Sequence, residues 1–191
     1  ITEVEERAAK DSAEQAGAKE VRLIHEPMAA AIGIGIDVLE PMGNMIVDIG
    51  GGTSEIAVIA LGGIVNNKSI RTAGDDFTAE IVEYMRKQHN MYIGERTAEM
   101  IKIEVGSALT ELDNPPDEYA VHGRDLLTGI PKEIKVNYSE IAYCLDKSIS
   151  KIETAVRNAL EQTPPGLSAD IYRTGIYLTG GETADVGDLV R

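Results

Sequence analysis

The chain has 191 residues, 43% of them apolar, enough to bury a core and too many for a disordered segment. Its 18 basic and 32 acidic side chains leave a net charge of −14 at pH 7, with an isoelectric point near 4.6. Such a surface repels nucleic-acid backbones and anionic lipid, so nucleic acid is not an expected partner. The single cysteine, Cys144, excludes an internal disulfide and a cysteine-based zinc cluster and suits a reducing cytoplasm.

No apolar run approaches the roughly 20 residues of a membrane span, and no signal-peptide pattern opens the chain. The sequence starts at Ile1 in a charged helical pattern and reads as a piece of a longer protein. Thr2 and Glu5 form a capping-box signature, which predicts a helix running to about Ala16 and stopped by Gly17. The β-branched run 21–24 predicts a short strand, and Pro27 starts an Ala-rich helix that ends around residues 33–35. Residues 44–49 and 54–61 read as strands separated only by Gly50, Gly51, Gly52 and Thr53, and a third strand follows over 64–72. Connections this short predict a β-meander.

From Gly74 the period becomes helical, with Phe77, Ile81, Val82 and Met85 on one face and Ala98, Ile101, Val105 and Ala108 on another. After Pro115-Pro116, residues 119–122 and 134–136 read as strands. Ser139 opens a long amphipathic helix carrying Ile141, Leu145, Ile149, Ile152, Val156 and Leu160, closed by Pro164-Pro165-Gly166. Residues 176–178 form a last strand that runs into Gly180-Gly181. The alternation of strands and helices predicts an α/β architecture. A first lobe in two pieces, 1–73 and 138–191, would enclose a second lobe, 74–137.

Four segments carry candidate chemistry. In Val47-Asp48-Ile49-Gly50-Gly51-Gly52-Thr53 a strand leads into an acid, three glycines and a hydroxyl. Glycines of positive φ could turn successive N–H groups onto a phosphate as an anion nest, and Asp48 could hold Mg²⁺ through water. The same heptapeptide also reads as a flexible turn with an ordinary aspartate. Glu26 precedes Pro27 at a helix start, where it is either a helix cap or a carboxylate that positions a hydrolytic water. His25 beside it reads as a packing or surface residue. Thr179-Gly180-Gly181 is either a plain strand-to-helix turn or a ligand contact at the carboxyl edge of a sheet. Glu99 and Lys102, one turn apart, form a solvated ion pair or face a ribose or adenine in a cleft.

The phrases 26–33, 47–55, 69–77, 93–99, 101–107 and 161–181 resemble, in order, the MreB family of bacterial actins within the actin and Hsp70-like ATPase superfamily. The resemblance implies an actin-like ATPase fold: a ribonuclease H-like inner subdomain with a smaller α/β subdomain inserted, matching the second of the family's two domains. It implies ATP or ADP with Mg²⁺ as ligand, with Gly50, Gly51, Gly52 and Thr53 on the phosphates and Asp48 near the metal. Glu26 and Thr53 would hold the water that attacks the γ-phosphate. Glu99, Met100, Ile101 and Lys102 would face the nucleoside, and Gly180-Gly181 would form the adenosine turn.

It further implies self-assembly into filaments, a cytoplasmic location under the inner membrane, and guidance of the cell-wall elongation machinery that sets rod shape. Two departures stand out. The family's Asp-x-Gly-Thr phosphate turn has no counterpart before Ile1, and Glu182 stands where the family has a third glycine. An inert structural module and a sugar-kinase or chaperone ATPase of the same superfamily are the competing expectations.

Overall fold

The computed structural model describes residues 2–181. Helix α1 (Glu3–Gln15) starts with the expected capping box: the Thr2 hydroxyl accepts from the Glu5 amide, and the Glu5 carboxylate accepts from the Thr2 amide. Helix α2 (Glu26–Gly33) follows, then strands β1 (Asn44–Ile49), β2 (Ser54–Ala60) and β3 (Gly63–Ile70). Antiparallel pairing of β1 with β2 and of β2 with β3 makes the predicted meander. Helix α3 (Gly74–His89), the short β4 (Met91–Tyr92) and α4 (Glu95–Val105) lead to the hairpin β5 (Tyr119–Asp125) and β6 (Pro131–Val136). Helices α5 (Tyr138–Glu161) and α6 (Pro165–Thr174) precede the last strand, β7 (Ile176–Thr179).

The strands form two sheets. One has the order β3-β2-β1-β7 and the other β4-β5-β6. Strand alternation decides which side chains of the first sheet meet which helices. Met45, Val47, Ile49, Ile56 and Val58 face the main core, which also takes Phe77, Ile81 and Met85 of α3 and Ile141, Leu145 and Ile149 of α5. Ile46, Ala57 and Ile59 point to the other face, where Ala31 of α2 covers them. Each fully buried aliphatic or aromatic side chain contributes on the order of 2 kcal/mol, so both faces of β1 are strongly anchored.

Three sequence expectations change. The run 21–24 is irregular chain, with Leu23 and Ile24 about half exposed. Among the described residues no neighbouring strand supplies the backbone partners that a β segment requires, and α1 before it buries none of its residues. Helix α4 stops at Val105, where Gly106 turns extended, so Ala108 lies in the following loop. Pro164 and Pro165 do end the α5 segment, but Pro165 also occupies the first turn of α6, a position where its missing N–H costs nothing.

Candidate functional site

The turn 50–53 is held by the Gly50 amide and by its carbonyls and leaves the three amides that follow open. Gly50 N–H closes the turn onto the Thr53 carbonyl at 3.0 Å. The Gly50 carbonyl accepts from Gly74 N–H at 3.1 Å and the Gly51 carbonyl from Asp75 N–H at 2.7 Å, which staples the turn to the start of α3. Gly51, Gly52 and Thr53 are exposed, and among the described residues their N–H groups have no hydrogen-bond partner in the chain. Three successive exposed donors therefore follow the end of a buried strand.

The expected positive φ is absent, for none of Gly50, Gly51 and Gly52 adopts it. A Cβ added at Gly51 would lie 3.4 Å from Asp75 Oδ1, and one at Gly52 3.8 Å from Oδ2, so the chain itself has room for a side chain at either position. What the glycines keep open is approach from outside. The turn is an open row of donors rather than an αR–αL nest.

Gly180 obeys the opposite rule. Its φ is +101°, and a Cβ there would collide with the Ile49 carbonyl and sit 2.7 Å from Asp48 Oδ1. This contact exists because β7 runs parallel to β1 with Asp48 opposite Thr179. The two glycine turns thus leave the carboxyl ends of adjacent parallel strands, where open α/β sheets take their ligands. Among the described residues, a Cβ added at Gly181 would meet nothing within 4 Å.

Asp48 sits between the turns. Burial pushes its carboxyl above the usual range, the Thr179 hydroxyl holds part of that rise back, and the charge of Glu55 adds to it. Among the described residues the buried Thr179 hydroxyl oxygen nonetheless has no hydrogen bond of standard geometry, so the two groups are neighbours rather than a closed pair. A carboxylate beside an unsatisfied hydroxyl is an oxygen donor set that suits a hard cation.

A cleft of about 590 Å³ opens beside the turn, lined by Asp75, Thr78 and Ala79 of α3 and Glu95, Arg96 and Glu99 of α4. Glu99 Oε2 accepts from the Thr78 hydroxyl at 2.7 Å and pairs with Lys102 Nζ at 2.9 Å. Burial works to raise the Glu99 carboxyl, but the bonds from Thr78 and Lys102, with the Lys102 charge, outweigh it and hold it below the usual carboxylate range. Lys102 is 1% exposed and Glu99 40%, so the glutamate faces the cleft and the lysine stands behind it. Met100 and Ile101 are not among the lining residues, and Ile101 is wholly buried in the main core. Helical geometry forces this division, because residues 99 and 102 share a face that 100 and 101 cannot.

Glu26 is not the helix cap. His25 occupies that position, and no side-chain bond caps the helix. Glu26 is the first helical residue, exposed, and among the described residues its carboxylate has no partner. It extends from the helix that covers the second face of β1 and β2. Glu182 lies outside the described residues.

Asp75, Thr78, Glu95 and Arg96 escaped sequence reasoning. The only available hint was their neighbourhood: Asp75 follows Gly74, and Glu95 and Arg96 open the helix that carries Glu99. Nothing in the spacing joins Thr78 to Glu99.

Comparison with known proteins gives a consistent result. The family model described as MreB/Mbl protein matches residues 1–189. The cell shape-determining protein Mbl of Bacillus subtilis is 47% identical over 181 residues, covering 95% of this chain and 54% of that protein. The cell shape-determining protein MreB of Escherichia coli K12 is 50% identical over 183 residues, covering 94% and 51%. Among solved structures, MreB5 of Spiroplasma citri bound to AMPPNP superposes with a TM-score of 0.93 at 40% identity, over 98% of this chain and 56% of that one. Its ADP-bound form superposes with the same score, 0.93. The chain spans about half the length of the relatives it matches.

Proposed function

This chain belongs to the MreB/Mbl family and has its actin-like α/β fold, and from that premise we propose that it supplies one wall of an ATP site whose hydrolysis regulates a cell-shape filament. The observation that carries the proposal is the row of three exposed amides at Gly51, Gly52 and Thr53, unpartnered among the described residues, after a strand whose parallel neighbour ends in a second glycine turn. The solved relative bound to AMPPNP and ADP supports a nucleotide as the ligand.

In this reading the amides of Gly51, Gly52 and Thr53 and the Thr53 hydroxyl donate to phosphate oxygens. Gly50 closes the turn beneath them. Asp48 would hold Mg²⁺ through water, and Mg²⁺ supplies neutralisation of the phosphate charge. Glu99, backed by Lys102, accepts hydrogen bonds from the adenosine, while the Gly180-Gly181 turn, with Gly180 packed on Ile49, would lie beside it. Met100 and Ile101 would act only by shaping the helix that presents Glu99. Glu26 and Thr53 would position the water that attacks the γ-phosphate. No covalent step is asked of the protein: phosphoryl transfer depends on placement and charge stabilisation.

We extend the proposal to the parent molecule, in which chains would assemble into filaments beneath the inner membrane and guide cell-wall elongation. Its inner subdomain would combine 1–73 with 138–191 around the four-stranded sheet, and 74–137 would be the inserted outer one. An inert module is the alternative, and the half-length coverage of the relatives supports it for the isolated chain. Titration of labelled ATP with Mg²⁺ into the 191-residue chain, and into a longer protein that includes it, separates the two. Saturable binding with turnover supports the site. Absence of binding in both proteins would overturn it, and binding only in the longer one assigns this chain a partial wall.

A further inference from the structure

We propose that Thr78 is a positioning residue for the Glu99 carboxylate. It would fix where the nucleoside end of the cleft accepts hydrogen bonds relative to the phosphate turn. The recognition part of this inference rests on the ATP reading above, while the positioning part rests on the geometry alone.

Thr78 stands one helical turn after Gly74, and its hydroxyl oxygen is 3.1 Å from the Gly74 carbonyl and 2.7 Å from Glu99 Oε2. A hydroxyl has one proton to donate, and the shorter, charge-assisted bond to the carboxylate is the stronger claim on it. Lys102 Nζ approaches the same hydroxyl oxygen at 3.4 Å and Glu99 Oε2 at 2.9 Å. Two donors therefore converge on one carboxylate oxygen, and among the described residues Oε1 has no hydrogen-bond partner. Glu99 is held ionised and pointed, as an acceptor-only group, and such a group favours ligands that present hydroxyl or N–H donors.

The other end of the same helical turn is fixed too. Gly74 and Asp75 donate their amides to the Gly50 and Gly51 carbonyls, so α3 begins as an extension of the glycine turn. Thr78 links that rigid start to α4 across the cleft wall, a span no covalent neighbour controls. A ligand that bridges the turn and Glu99 meets two contacts whose spacing this hydroxyl maintains. A pocket set this way discriminates by the hydroxyls its ligand offers, since a missing donor leaves a charged acceptor unpaired.

The test compares Thr78→Val, which keeps the shape and removes the hydroxyl, with Thr78→Ser, which keeps the hydroxyl. Carboxyl-carbon NMR titration of Glu99 in the ligand-free chain reads positioning. Affinity for ATP against its 2′-deoxy and 3′-deoxy forms reads recognition. We expect the Val variant to titrate Glu99 at higher pH, to bind ATP about 5- to 10-fold more weakly, and to lose discrimination among the three sugars. The Ser variant should restore all three. An unchanged Glu99 titration in the Val variant overturns the positioning role. Equal weakening for every sugar overturns the recognition role. If the wild-type chain binds no nucleotide, the sugar comparison is made in the longer protein that includes it, absence of binding there too overturns the ATP reading, and the Glu99 titration still decides the positioning role of Thr78.

Discussion

Two glycine turns end adjacent strands of one sheet, and they are glycine for opposite reasons. At Gly180 the fold itself forbids a side chain, because the residue that follows β7 lies in a positive-φ conformation against the Ile49 carbonyl and the Asp48 carboxylate. At Gly51 and Gly52 the fold has room for a methyl group and the backbone lies outside the positive-φ region. A glycine that the structure needs reports on packing. A glycine that the structure could do without, placed beside open amides, reports on something that must come close.

The largest effect should fall on the first kind. Gly180→Ala would force a Cβ into the Ile49 carbonyl and cost about 3 kcal/mol or more, measured as a lowered midpoint in urea unfolding. A loss below about 1 kcal/mol would show that the turn relaxes freely and would blur the contrast.

Next comes Glu26→Ala. With no partner among the described residues to lose, stability should change by less than about 0.5 kcal/mol, while ATP turnover by a protein that contains the complete site should slow by roughly 10²-fold or more. A matching fall in stability and rate would return Glu26 to a purely helical role. Gly51→Ala should be smaller still: stability within about 0.5 kcal/mol of wild type, with nucleotide affinity down on the order of 10-fold. Unchanged affinity would remove the turn from the phosphate site.

The smallest effect concerns Asp48. Its carboxyl is raised by burial, so the folded state binds a proton more readily than the unfolded chain does. The ionised form therefore costs stability at pH values above the folded pKa, and the cost fades as pH falls through that value. Asp48→Asn should make the ligand-free protein slightly more stable at neutral pH and flatten this acid-side gain, while removing the Mg²⁺ dependence of binding. Thermal melts across pH, with and without Mg²⁺, check both signs.

Legibility in the sequence followed the range of the interactions. The meander was readable because four turn residues leave two apolar runs no choice but to pair. Helices α3 and α5 were readable from the period of Phe77, Ile81 and Met85 and of Ile141, Leu145 and Ile149. The run 21–24 misled because β-branched composition does not supply a pairing partner. Helix α6 was hidden because the same prolines can stop one helix and start the next.

At the site, the acid, glycine and hydroxyl of residues 48–53 stood out locally. Their approach to Gly180 followed from the family resemblance alone, since no local pattern says which strand β1 takes as its parallel neighbour. The inward placement of Ile101 follows from its helical face, and the Thr78–Glu99 bond spans two helices with no spacing rule to reveal it.

The most direct measurement is amide NMR of Gly51, Gly52, Thr53 and Gly181 during titration of Mg²⁺ with AMPPNP into a protein that contains this chain. All four resonances are expected to move together with one half-saturation concentration. Movement of the first three without Gly181, or of none of them while nucleotide binds elsewhere, would contradict it.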